Sequence, residues 1–378
     1  MSRSRATFRR LACFAFSALC ITELAPARAA HAAPATTQKS QAVRASTWMP
    51  PGANWEQARS PESLGWSTQR LGALQSSVDS IGSAAFMIVT RGQVVAAWGN
   101  IARTYQMHSV RKSFLSALIG VAVAEGKLDT ASTLGSLHIV EKGTKLTATE
   151  NRARVADLLR ARSGVYLPAA GESESMRAQR PVRGSHAPNT EWYYNNWDFN
   201  ALGTIFRQAT GEDIFAAIER RIAKPLGMQD FRAAEGHYQL ESASLHPAYF
   251  IRCSARDLAR FGLLYLQRGR WGDTQVLPAS WVDASVQSYS LMASPRPTDL
   301  ANGYGFMWWT QAWVGAHPEL SAIEGSYSAA GAGGQRLTVL PRIETVVVHL
   351  VDTDAPGPRL TMADWDRVLT QVVRARLP

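Results

Sequence analysis

Two pairs of strand-like runs stand near opposite ends of the chain, and their separation constrains the fold more than any other feature. Residues 84–89 and 94–98 are apolar and joined through Arg91-Gly92-Gln93; residues 337–340 and 345–351 are β-branched and joined through Pro341-Arg342. Each pair reads as a hairpin of buried strands. Between them, from Lys127 to about Ser290, the chain reads as mostly helical. Residues 199–209, 214–222 and 256–266 are helices punctuated by Gly211, Pro225-Leu226-Gly227 and Gly269. Helices also flank the strands. Ser67 can cap one with Leu71, Leu74, Val78 and Ile81 on a single face, and residues 362–373 turn Trp365, Val368, Leu369 and Val373 to one side. The expectation is an α/β fold: an antiparallel sheet flanked by N- and C-terminal helices, with a mostly helical domain inserted. Residues 61–126 and 291–378 form the sheet domain and 127–290 the helical one, with a site in the groove between them. Within these bounds, residues 129–137 read as a short helix with a loop, 149–160 as an amphipathic helix, and 306–310 as an aromatic strand. Residues 165–188 read as a long loop walling the site.

The start of the chain does not belong to this fold. Arg3, Arg5, Arg9 and Arg10 precede an apolar run at 11–21, and Ala27-Arg28-Ala29 offers a small-residue cleavage site, so residues 1–29 read as a secretory signal peptide. A retained anchor would need a longer apolar run. The mature protein is therefore expected to be exported, periplasmic or secreted, with no stable membrane anchor after signal removal. Residues 30–60, rich in Ala, Thr, Ser and Pro, read as a flexible lead-in. Cys13 and Cys20 leave with the signal. Cys253 has no partner for a disulfide and no Cys or His at motif spacing, and it reads as a buried structural thiol. The formal charge is +10, but the 40 basic residues are spread without runs. A nucleic-acid surface would cluster them among aromatics, so no nucleic-acid partner is expected. The assembly state is left open.

One stretch carries chemistry. His108-Ser109-Val110-Arg111-Lys112-Ser113-Phe114 opens an apolar run that ends at Glu125-Gly126, a helix with Ser109 near its start. Residues i and i+3 share a helix face, so the Lys112 amine can lie beside the Ser109 hydroxyl. A serine hydroxyl needs a base, and a lysine kept neutral by burial and nearby positive charge can serve. The same four residues also fit a helix-capping serine followed by a solvated first-turn lysine. About eighty residues on, Tyr194-Asn195-Asn196-Trp197 offers a phenol to relay a proton and, at Asn196, an amide to hold the lysine and a substrate carbonyl. An aromatic loop packed under the helical block fits that stretch equally.

Ser109-Val110-Arg111-Lys112 followed by Tyr194-Asn195-Asn196 resembles the first two signatures of the serine β-lactamase and penicillin-binding-protein superfamily. The segment from Tyr194 to Gly203 is similar to the Tyr-Ser-Asn-x-Gly-Tyr-x-Leu-Leu-Gly block of the branch holding class C β-lactamases, family VIII esterases and 6-aminohexanoate-dimer hydrolases. Ser254-Ala255-Arg256-Asp257-Leu258 through Gly269-Arg270-Trp271 resembles that branch's central helix. The likeness runs from about Trp66 to the C-terminus.

The resemblance implies a β-lactamase/transpeptidase-like fold and acyl transfer to Ser109, with Lys112 and Tyr194 moving protons and no metal or organic cofactor. It implies an oxyanion hole from the N–H of Ser109 and a second N–H on the edge strand, expected at Ala329. The third signature, Lys-Thr-Gly or His-x-Gly, departs: no Lys or His stands in residues 324–335. Ser326-Tyr327-Ser328 is expected in its place, with Gly331-Ala332-Gly333-Gly334-Gln335 starting the next strand. Without that cation, which helps hold a β-lactam carboxylate, an ester or amide substrate is favoured. A β-lactamase or D-amino-acid peptidase, and a penicillin-binding or sensor protein that acylates without turnover, remain alternatives. Tyr166, just after Ser163-Gly164, is a candidate for contact with the acyl portion, or else a packed loop tyrosine. His108 and His349 read as structural, and Trp308-Trp309 as core or groove wall.

Overall fold

The computed structural model describes residues 50–291, 302–311, 318–357 and 359–377. The signal-peptide expectation lies outside these residues, as does most of the lead-in. The end of that lead-in is not free. Glu56–Gln57 pairs in parallel with Gln93 and Val94, and the carbonyls of Pro51, Gly52 and Ala53 accept bonds from the buried Arg260 guanidinium.

Both hairpins join one sheet. The first comprises β1 (Ala85–Thr90) and β2 (Gln93–Gly99). β3 (Trp309–Thr310), β4 (Tyr327–Gly331), β5 (Gln335–Leu340) and β6 (Thr345–Leu350) follow late in the chain. β6 pairs antiparallel with β1 over six residues, so the two ends of the chain meet at the sheet's centre. From β2 the order runs β2-β1-β6-β5-β4-β3, and two short strands, Gly303–Tyr304 and Ser290–Leu291, extend it beyond β3.

The two faces of the sheet hold different cores, as alternating side chains require. On one face Phe86, Ile88, Val347 and Leu340 pack with Leu71, Leu74 and Val78 of α1 (Thr68–Ser80) and with Trp365, Val368 and Leu369 of the C-terminal helix Met362–Arg374. Ser67 caps α1 by accepting from the Arg70 N–H. On the other face Met87, Val89, Leu337, Val346 and Val348 share a core with α2 (Arg111–Ala124), α3 (Asn196–Thr210) and α4 (Ala255–Leu266). Gly262 lets α4 come close, since a Cβ there would stand 2.7 Å from both Leu337 and Val346. α2 is buried on nearly every side, as an apolar helix must be. Phe114 stacks on Phe261 of α4 with centroids 3.9 Å apart.

Some local expectations fail for identifiable reasons. Residues 149–160 are not one helix but a 3-10 turn, Glu150–Arg152, and a short helix, Val155–Leu159. The Asp157 carboxylate accepts from the Arg154 backbone N–H at 2.9 Å and starts the second helix afresh. Residues 129–137 form turns rather than a helix. Residues 306–310 contain a sharp turn, with Met307 at φ 60°, before strand pairing begins at Trp309. Residues 332–334 are a turn, so Gly331 ends β4 and β5 starts only at Gln335. No helix among the described residues is long and apolar enough to cross a membrane.

Candidate active site

Ser109 lies on a 3-10 turn, His108–Val110, that leads directly into α2. The turn is held in an uncommon conformation. His108 has φ 47°, a region that non-glycine residues rarely enter. Its Nε2 bonds to Thr353 Oγ1 at 2.8 Å, and its carbonyl accepts from Arg111 Nη1 at 2.8 Å. Ser109 stays partly exposed.

Lys112, one turn on, is 2% exposed. Its Nζ lies 2.9 Å from Ser109 Oγ, 2.7 Å from the Tyr194 hydroxyl and 2.8 Å from Asn196 Oδ1. Burial, aided by the neighbouring Arg111 charge, holds the amine well below the usual lysine range. A neutral amine has two N–H groups and one lone pair. These match the three neighbours: two hydrogens for Tyr194 and Asn196, and a lone pair for the serine proton. Burial pushes the Tyr194 hydroxyl up, so it is a phenol rather than a phenolate.

α3 supplies the other two members. Asn195 caps this helix by accepting from the Trp197 N–H at 3.0 Å, which leaves Tyr194 just before the helix and Asn196 as its first residue. Asn196 Nδ2 donates to the Gly171 carbonyl, tying residues 165–188 to the site. Beneath, Asn195 Nδ2 donates to Val165 O and to Asp198 Oδ1, which also accepts from Ser163 Oγ at 2.5 Å. Burial raises the Asp198 carboxyl well above its usual range. Its other oxygen has no hydrogen-bond partner.

Aromatic rings wall the Tyr194 side. Trp309 stacks on Tyr194 at 5.4 Å, and Trp192 and Tyr304 meet Trp309 edge-on at 6.1 and 5.2 Å. Trp308 faces the core instead, against Tyr265 and Tyr327.

The edge strand requires corrections. The Gln311 N–H bonds to Ser326 O across the β3–β4 register. By strand alternation the backbone groups of Ser326, Ser328 and Ala330 face β3, and those of Tyr327, Ala329 and Gly331 face β5. Ala329 sits opposite Leu337, so its N–H serves the sheet ladder and not the groove. The residue against the Ser109 turn is Gly331, whose missing Cβ would lie 2.5 Å from Met107 O and 3.3 Å from His108 Cβ. Next to it Ala330, beyond the end of β3, turns its N–H to the open side of β4. Ser326 stands five residues earlier, about 17 Å along an extended strand. Tyr327 is buried against Trp308 and Tyr265. Neither reaches Ser109. The expected register was too early because Gly331-Ala332-Gly333-Gly334 resembles a strand start, whereas it is a strand end and turn.

Tyr166 takes the packed-loop alternative. Its ring packs edge-on against His186 and Tyr193, and its buried hydroxyl bonds to none of the three central groups. His349 is fully buried between Ser83 Oγ and Gly334 O, with its imidazole pushed down to about 4. Cys253 is a buried free thiol, pushed up by its surroundings. Sequence reasoning gave no role to Arg111, Asp198 or Gly331. No group of three or more His, Cys, Asp or Glu placed to hold a metal occurs among the described residues.

The architecture is that of the serine β-lactamases, penicillin-binding proteins and their esterase and amide-hydrolase relatives. A protein assigned as a 6-aminohexanoate-dimer hydrolase, from Bacillus anthracis, has a TM-score of 0.63 at 22% identity, over 85% of this chain and 87% of that one. A beta-lactamase from Mycobacterium bovis gives 0.56 at 18% identity, over 82% and 100% of the two chains. A family VIII carboxylesterase gives 0.58 at 13%, over 82% and 99%. At such identities the likeness is one of fold. The Beta-lactamase family profile matches residues 72–371, and the chain belongs to that family. No curated protein sequence matches it significantly.

Proposed function

We propose that the protein is a serine hydrolase that cleaves ester or amide bonds through an acyl-enzyme on Ser109. The observation that carries this reading is the amine of Lys112, sealed from water and within 2.9 Å of a reachable hydroxyl. Ser109 Oγ attacks the substrate carbonyl while its proton passes to the Lys112 lone pair. The negative oxygen of the tetrahedral intermediate is held by the Ser109 N–H and by the N–H of Ala330, next to Gly331. The proton then moves through the Tyr194 hydroxyl to the leaving oxygen or nitrogen, and the carbonyl–leaving-group bond breaks. Water attacks the acyl-enzyme by the same route, with Lys112 taking its proton and Ser109 recovering one. Asn196 holds the amine in line throughout. A phenol whose acidity is weakened by burial is a relay, which leaves the role of base to Lys112.

An ester or amide is favoured over a β-lactam because no Lys or His stands among residues 324–335. The test is labelling by a fluorophosphonate, with the adduct located by mass spectrometry. It should fall on Ser109 and vanish in Ser109→Ala. Turnover of p-nitrophenyl esters or short amides faster than nitrocefin supports the ester or amide reading. Faster nitrocefin turnover makes the protein a β-lactamase, and an acyl adduct on Ser109, formed from an ester or from nitrocefin, that never clears makes it a sensor. The N-terminal segment supports export, and N-terminal sequencing of the mature protein should find residues 1–29 removed.

A further inference from the structure

Beside Lys112 stands a second buried cation whose charge is not spent on any carboxylate among the described residues. Arg111 is 2% exposed. Its Nη1 donates to His108 O at 2.8 Å. Its Nε is buried without a hydrogen-bond partner. The guanidinium lies over the rings of Phe250 at 4.4 Å and Tyr249 at 5.3 Å, both on the strand Ala248–Phe250. Ring faces and one carbonyl compensate only part of what a guanidinium loses on leaving water. A methionine would fill the same space without that loss, so packing alone does not account for an arginine here.

We propose that Arg111 is a positioning residue of the Ser109 site: its permanent charge keeps Lys112 in the uncharged form, and its bond to His108 fixes the turn that presents Ser109. This rests on reading Lys112 as the base. The groups bearing on Arg111 and its neighbours are few. Tyr249 and Tyr194 face the guanidinium. Lys112 feels burial first and Arg111 second, with no carboxylate opposing them. Arg336, from β5, acts on Tyr194. His108 is itself held down by burial, then by Arg111 and, more weakly, by Arg359, against a pull from Asp354. A guanidinium does not titrate in the working range of such an enzyme, so its field on the amine is constant with pH. The bond to His108 acts separately, by closing the left-handed turn one residue before the nucleophile.

The experiment is the pH dependence of Ser109 labelling by a fluorophosphonate, read by mass spectrometry in the wild type, Arg111→Met and Arg111→Lys. Removing the charge eases protonation of Lys112, so the acid limb of the labelling rate should move to higher pH by about one unit in Arg111→Met. At a fixed pH on that limb the rate then falls about tenfold. Arg111→Lys loses the bond to His108 O, so its plateau rate should drop. Arg111→Gln repeats the neutral comparison should the methionine variant fail to fold. A limb in the same place in a folded neutral variant overturns the proposal, as does an unchanged plateau rate in Arg111→Lys. Absence of wild-type labelling would instead remove the hydrolase reading beneath it, so the two failures are distinct.

Discussion

At the scale of single residues, the site turns on which group is charged. Lys112 is useful only without its proton, and burial lowers its pKa, so activity should be lost as the pH falls through that depressed value. A pH–rate profile for ester hydrolysis should therefore rise along a limb well below the usual lysine range near 10.5 and then level. A limb near that ordinary value would exclude Lys112 as the base. Lys112→Ala should reduce kcat by a factor on the order of 10³ or more, because the hydroxyl then has no proton acceptor. Tyr194→Phe should lower kcat with little change in KM if the phenol only relays a proton. Asp198 follows the opposite sign. Its carboxyl keeps a proton in the folded protein that the unfolded chain releases above the ordinary value of 3.8, so it lowers stability as pH rises from that value to the raised one. Asp198→Asn should therefore melt at or above the wild-type temperature at neutral pH, with the gap closing in acid. A lower melting temperature at neutral pH would mean that the ionised form is the one Ser163 and Asn195 hold.

At the scale of elements, the geometry depends on two pieces of chain remote in sequence approaching without a side chain between them. Gly331 of β4 faces Met107 and His108, and a methyl there would need 2.5 Å from a carbonyl oxygen. Gly331→Ala should push the strand off the Ser109 turn and cut kcat/KM by an order of magnitude or more, with a much smaller change in melting temperature. Gly120 is the contrasting case. It lies further along α2, where a Cβ would stand 2.3 Å from the Trp281 ring, away from the chemistry. Gly120→Ala should destabilise by about 1–3 kcal/mol through overpacking while the folded fraction keeps its kcat, as activity normalised to folded protein would report. If both substitutions affect only stability, β4 does not shape the site.

At the scale of the whole molecule, the sheet and the inserted helices share a single core. Met87, Leu337 and Val348 of the sheet lie in the same cluster as Leu158, Trp197 and Leu263. Heating should therefore give one cooperative transition by both circular dichroism and tryptophan fluorescence, and two separated transitions would show that the core divides. The broad plan was legible in the sequence because it rests on periodicity. β-branched runs 240 residues apart marked the sheet, Ser67 marked the start of α1, and the i, i+3 spacing of Ser109 and Lys112 marked the pair now seen in contact. The edge strand was misread because Ala329-Ala330-Gly331 offers no charged or bulky marker of register. The break at Ala153 was missed because Asp157 caps through a side chain whose direction spacing does not specify. Arg111 was passed over because a charged residue in a first helical turn normally faces water, and only tertiary packing turns this one inward.

The contrast between an open Ser109 and a sealed Lys112 has a practical side. Reagents that seize activated alcohols count intact molecules, whereas reagents for primary amines reach residue 112 only after the chain has come apart. Used together on one sample, they would measure how much of a preparation is native without any substrate being known.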